Sequence, residues 1–152
     1  MGLKIVVTRN IFDGRGKDNE LTEYRIAVCD NQGVLFEECE YDLEVDAKYF
    51  VEKFMKSDVA ASMDNTISPY HNTGTIQIGK ALIKECRIKK FTGNHKNREV
   101  LYWMGYIYRY WVFWLGDSSI EVYNKADYET MERVYSYMHT LSPEQAILKL
   151  RK

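Results

Sequence analysis

The stretch Val34-Leu35-Phe36-Glu37-Glu38-Cys39-Glu40-Tyr41-Asp42-Leu43-Glu44-Val45-Asp46 sets the expectation for the first third of the chain. Glu38, Glu40, Asp42, Glu44 and Asp46 alternate with Cys39, Tyr41, Leu43 and Val45. A period of two puts the acids on one face of a strand and the apolar set on the other. Upstream, Asp30-Asn31-Gln32-Gly33 has the composition of a hairpin turn, with glycine available for positive φ. Tyr24 to Cys29 reads as the preceding strand, and Leu3 to Arg9, rich in β-branched residues, as the first. The polar run Asp13 to Asn19, including Gly14-Arg15-Gly16-Lys17, reads as the loop between them. The expectation is an antiparallel meander of about three strands over residues 1–45.

Beyond Asp46 the period changes. Asp46 suits a helix N-cap, and Tyr49, Phe50, Phe54, Val59 and Met63 trace a helical apolar face. Asn65 to Thr73 reads as a loop, Thr75 to Arg87 as a second helix and Lys89 to Asn97 as a basic loop. Arg98 to Leu115 is a strongly aromatic helix ended by Gly116. Ser118 to Lys125 and Asp127 to His139 suggest shorter helices. Ser142-Pro143-Glu144-Gln145 has the cap, the first-turn proline and the capping-box glutamine of a last one. Strands first and helices afterwards predict an α+β domain over 1–152, the meander packed with a bundle of about five to six helices over 46–152.

Composition narrows the function classes. The chain has 152 residues, 45% of them hydrophobic and 28% charged, which is the make-up of a folded globule. A net charge of −1 argues against a surface built wholly for nucleic acid. The three cysteines, Cys29, Cys39 and Cys86, form no CxxC pair and suggest neither a disulfide framework nor a zinc site. The N-terminus shows no signal core, and the most apolar run, Leu101 to Leu115, is short for a span and carries Arg109. The expected setting is cytoplasmic.

No catalytic set stands out. Gly74-Thr75-Ile76-Gln77-Ile78-Gly79-Lys80-Ala81 fits the GxxxxGK spacing of a phosphate loop but has Ala81 where the magnesium-binding hydroxyl belongs, so a helix start is the better reading. His71, His95 and His139 have no ligand partner at metal spacing, and His139 suits capping of helix carbonyls. Cys86, with Lys84, Arg87, Lys89 and Lys90 nearby, is the one thiol with cationic neighbours, yet a buried hydrophobe is the commoner state of a free cysteine. No cofactor, metal ligand or catalytic residue is assigned.

Two charge blocks and one helix carry the binding expectations. The acidic face (Glu38, Glu40, Asp42, Glu44) either decorates an exposed edge or docks a basic protein. Lys80, Lys84, Arg87, Lys89 and Lys90 offer an anion or nucleic-acid contact. In the aromatic helix, Val100, Trp103, Met104, Ile107, Trp111 and Trp114 trace one face, and Tyr102, Tyr106, Arg109 and Phe113 a second. A helix apolar nearly all round reads first as a central core helix; because Tyr and Arg dominate binding hot spots, the sharper alternative is an oligomer or partner groove built on Tyr102, Tyr106 and Arg109.

The run Glu99-Val100-Leu101-Tyr102-Trp103-Met104-Gly105-Tyr106-Ile107-Tyr108-Arg109-Tyr110-Trp111 resembles a segment of small, poorly characterised bacterial proteins found in toxin–antitoxin and phage-defence gene neighbourhoods. Phe54-Met55-Lys56-Ser57-Asp58-Val59-Ala60 and Tyr137-Met138-His139-Thr140-Leu141 extend the resemblance, which spans residues 47–150. It implies an antitoxin-like role or one in defence or counter-defence. The expectation is a non-enzymatic protein-interaction module, antitoxin-like or inhibitor-like, that meets a basic toxin or nucleic-acid-processing partner through the acidic strand face. Two alternatives stay open: a nucleic-acid-binding protein using residues 80–98, and an enzyme or nucleotide-binding protein with a dispersed site near Arg109 and His139.

Overall fold

The computed structural model describes residues 21–152, and these fold into eight α-helices and a short 3-10 turn. The helices are α1 (Glu23–Asp42), α2 (Ala47–Met55), α3 (Asp58–Met63), α4 (Thr75–Glu85), α5 (Arg98–Leu115), α6 (Ser119–Lys125), α7 (Tyr128–Met138) and α8 (Pro143–Leu150), with the 3-10 turn at Pro69–Asn72. The described residues contain no sheet, and extended pairing is limited to isolated bridges such as Val45 with Lys90.

The α+β expectation is therefore corrected. Tyr24 to Cys29, the Asp30–Gly33 turn and the acidic strand as far as Asp42 are one continuous helix, α1. The expected strand Leu3 to Arg9 and the loop Asp13 to Asn19 lie outside the described residues. Thr22 caps α1 by accepting the Arg25 N–H at 3.3 Å. Its buried positions, Val28, Cys29, Gln32, Gly33, Leu35, Phe36, Cys39 and Glu40, recur at three and four residues. The alternation after Glu38 is real in the letters but does not set the backbone. Glutamates are good helix formers, and the apolar residues just before them already keep helical time.

Gly33 has a different task from closing a turn. A Cβ there would lie 2.7 Å from the Tyr102 ring, and one on Gly105 would lie 2.5 Å from the Gln32 carbonyl oxygen and 3.0 Å from the Gly33 Cα. The two glycines let the backbones of α1 and α5 come together where any side chain would hold them apart. Gln32 seals the crossing by donating from Nε2 to the Gly105 carbonyl at 3.0 Å.

Around this pair the remaining helices close the core. Phe36 of α1 meets Phe50 and Phe54 of α2 and Tyr108 of α5 edge to face, with centroids 5.6 to 6.4 Å apart. Glu44 turns the chain with a left-handed φ of 57°, and Asp46 then caps α2 by accepting the Lys48 N–H at 3.0 Å. The helix expected from Asp46 to Met63 is two helices. Ser57 divides them, donating to the Phe54 carbonyl at 2.7 Å and accepting the Ala60 N–H at 3.0 Å. α5 matches its expected span and ends on Gly116, whose φ of 84° suits a left-handed cap. Ser142, Pro143 and Gln145 form the anticipated capping box of α8, and Ser118 with Glu121 forms another on α6.

Gly105→Ala is expected to destabilise the fold by about 3 kcal/mol, the upper end of ordinary overpacking, because its Cβ would press on backbone. Gly33→Ala should cost less, since the nearest backbone atom to its Cβ, the Tyr102 carbonyl oxygen, lies at 3.0 Å against 2.5 Å for the Gln32 carbonyl oxygen at Gly105. Urea unfolding of the two variants against the parent chain checks both the size and the order.

Candidate functional site

The structure disperses the acidic face. On a helix, period two does not define a side, and the four carboxylates take three different settings. Glu40 is buried: one oxygen accepts the Lys96 N–H at 2.9 Å, the other accepts the Ala47 N–H at 3.0 Å and lies 3.4 Å from the Lys96 ammonium. It ties the end of α1 to the start of α2 and to the segment leading into α5. Glu38 pairs with Arg98, whose guanidinium also lies 4.3 Å over the Tyr41 ring. Asp42 and Glu44 are exposed.

Arg109 is likewise internal, with 0% exposure. Its Nε donates to Gln32 Oε1 at 2.7 Å, Nη1 to Asp64 at 2.6 Å and Nη2 to the Ser119 hydroxyl at 3.2 Å. Asp64 in turn accepts the Ser119 N–H at 2.8 Å. One guanidinium thus joins α5 to α1, to the end of α3 and to the start of α6. Burial pulls its pKa down, and the Asp64 carboxylate acts against that pull. Arg109 does not line the cleft described below, so it does not meet His139.

His71 completes this buried polar layer. Its Nε2 donates to the Met63 carbonyl at 2.8 Å, and in the neutral ring that burial favours its Nδ1 accepts the Tyr24 hydroxyl at 2.8 Å. Burial holds its pKa below the usual histidine value, helped by the charges of Arg109 and Arg25. Among the described residues no group of three or more His, Cys, Asp or Glu side chains could hold a metal ion. The Cys86 thiol donates to the Leu82 carbonyl at 3.5 Å, and burial raises its pKa, opposite to what a reactive thiolate needs. Gly74 to Ala81 is the N-cap and first two turns of α4, not a phosphate loop.

The basic block keeps its exposure. Lys80 and Lys84 sit one turn apart on α4, and Arg87, Lys89 and Lys90 follow it; all five face solvent and none has a carboxylate partner among the described residues. Lys89 lies 5.3 Å over the Tyr49 ring. His95 is stacked between Tyr41 and Phe91, with centroids 4.1 and 4.2 Å away.

A cleft of about 580 Å³ opens between α5 and α7, closed by α1 and by the chain entering α8. Its walls are Tyr102, Trp103 and Tyr106 of α5 and Tyr135 of α7, with Ile107, Leu141 and Pro143 supplying apolar surface. Tyr102 and Tyr106 are successive rungs of a ring ladder, 6.0 Å apart, and Trp103 meets Tyr135 edge-on at 5.6 Å. His139 stacks on Tyr135 at 4.3 Å and donates from Nδ1 to the Tyr135 carbonyl at 2.7 Å, capping α7 as its position suggested. Tyr102 is fixed by a short hydrogen bond from its hydroxyl to Asp30.

Two carboxylates, Glu37 and Glu99, complete the lining, in which no lysine or arginine takes part among the described residues. Neither has a hydrogen-bond or ion-pair partner among the described residues. Partial burial, together with the charge of Glu38, raises the Glu37 carboxyl above the usual range; Arg98, the cation that opposes this, is engaged by Glu38. Of the residues named from sequence as a partner surface, Tyr102 and Tyr106 line this cleft. Glu37, Glu99 and Tyr135 were missed, and Trp103 was assigned to the apolar face. Each of Glu99 and Trp103, Tyr102 and Tyr106, and Tyr135 and His139 is a pair one helical turn apart.

Asp64→Ala strands the buried Arg109 charge and is expected to cost about 3–5 kcal/mol by denaturant unfolding, whereas Asp42→Ala, at the surface, should stay within about 0.5 kcal/mol. The depressed pKa of His71 makes the unfolded chain bind more protons at mildly acid pH. Its stabilising contribution is whole above the ordinary histidine value of about 6.5 and is lost as pH falls toward the folded value. Urea midpoints at neutral and mildly acid pH should therefore converge in His71→Gln relative to the parent.

No helix among the described residues is long and apolar enough to cross a membrane. No protein-family model, curated protein or solved structure matches the chain.

Proposed function

We propose that the chain is a non-enzymatic protein-interaction module, antitoxin-like or inhibitor-like, that receives a basic segment of a partner protein in the cleft between α5 and α7. One observation carries this reading: a ring-lined cleft of about 580 Å³ presents two carboxylates, and no lysine or arginine among the described residues joins them in its lining. A half-buried carboxylate without a cation is costly by itself and becomes favourable when an incoming cation neutralises it. Tyr and Trp walls give such a segment apolar contact area at small entropic cost and attract a cation to the ring faces. The acidic-docking idea thus keeps its partner and changes its surface, from a strand face to a helical cleft.

The test is fluorescence anisotropy with a short labelled peptide of alternating arginine and leucine, and a matched peptide of glutamate and leucine as control. Binding of the basic peptide alone, weakened at least tenfold by Glu37→Lys with Glu99→Lys, is the expected outcome. Equal binding of both peptides, or indifference to the two substitutions, would overturn the reading. A gel shift of single-stranded nucleic acid that is lost in Lys80→Glu with Lys84→Glu would place the activity on the basic face instead.

A further inference from the structure

Beyond the two carboxylates, the cleft presents two more polar groups without a partner among the described residues: the Tyr106 hydroxyl and the Trp103 indole N–H. Tyr102 and Tyr110, the neighbouring rungs of the ladder, both donate their hydroxyls to carboxylates, Asp30 and Glu144. Tyr106, between them and half-buried, does not. Burial raises its phenol pKa to about 12, so it stays neutral and free to take a hydrogen bond as donor or acceptor. The cleft therefore offers flat ring surface, two carboxylates and one unsatisfied phenol within a single concavity.

These features distinguish between the two basic side chains. A lysine ammonium is compact and strongly hydrated, with three donors pointing outward from one atom. Bringing it among aromatic walls strips its water and leaves donors facing rings. A guanidinium is planar and weakly hydrated: its faces lie on aromatic rings while its in-plane N–H groups reach carboxylates and a phenol oxygen at the edge. The Arg98 guanidinium, over the Tyr41 ring and paired with Glu38, already uses this arrangement elsewhere on α1.

We infer that the cleft is an arginine-selective site, in which one arginine side chain of the partner lies against Trp103 and Tyr106 and donates to Glu37. This rests on the basic-partner reading and narrows it to a single recognised side chain. Glu37 and Tyr106 are positioned by the same crossing. Glu37 stands one turn beyond Gly33 on α1, and Tyr106 follows Gly105 on α5.

The experiment uses the full chain and three labelled leucine-containing peptides, identical except for one central residue: arginine, lysine or citrulline. Citrulline keeps the planar shape and removes the charge. Dissociation constants are measured by anisotropy for the parent, Glu37→Gln and Trp103→Leu, with circular dichroism confirming that each variant is folded. The expected result is arginine binding about tenfold tighter than lysine and tighter still than citrulline, with Glu37→Gln erasing most of the arginine-over-citrulline difference. Trp103→Leu should shrink the arginine-over-lysine difference. Equal binding of the arginine and lysine peptides would overturn arginine selectivity and leave the basic-partner reading standing. Arginine preference that survives Glu37→Gln unchanged would overturn the assignment to this cleft. Binding of none of the three would remove both readings together.

Discussion

The close crossing of α1 and α5 is the constraint on which the rest of the molecule depends. Gly33 and Gly105 remove the side chains that would separate the helices, and Gln32 binds the two backbones by donating to the Gly105 carbonyl. The same Gln32 accepts from Arg109, so the crossing is continuous with the buried layer that reaches Asp64 and Ser119. Apolar packing alone tolerates sliding between helices. A glycine contact flanked by directional hydrogen bonds fixes one register, since a slip would leave buried polar groups unpaired. In this fold the polar core specifies the arrangement, and the apolar core, including the fully buried Phe36, Phe50 and Phe54, supplies the burial.

The cleft follows from that register. With Gly33 against the Tyr102 ring, the next turn of α1 brings Glu37 alongside the α5 tyrosines. α7 then packs across Trp103 through Tyr135, and the turn entering α8 closes the far side with Leu141 and Pro143. Glu40, one turn of α1 below Glu37, is turned inward and holds the α2 and α5 starts in place. Neighbouring acids on one helix thus do opposite work: Glu40 is satisfied and structural, Glu37 is unsatisfied and faces the opening.

What was legible in the sequence follows the same division. α5 and α8 were readable because their signals are local: an apolar face at helical spacing ended by Gly116, and Ser142, Pro143 and Gln145 at a helix start. α1 was not, because its inward face carries Arg25, Gln32, Gly33 and Glu40, which look like surface or turn residues until their partners are known. Those partners are remote; Arg109 is 77 residues from Gln32 and Lys96 is 56 from Glu40. A glycine in an Asn-Gln-Gly run signals a turn locally and a helix contact only when the facing helix is in view. Tyr102 and Tyr106 were found from hot-spot chemistry. Glu37 was hidden because reading 34–46 as a strand set it outside the alternating acids, whereas helical spacing puts it one turn after Gly33.

The most direct measurement of the central claim is a titration of the isotopically labelled chain with the arginine–leucine peptide, followed by two-dimensional NMR. The account predicts saturable shifts of the Trp103 indole N–H and of the amides of Glu37, Tyr102 and Tyr106, with residues 80–90 unmoved. Shifts confined to the basic face, or none at saturating peptide, would contradict it.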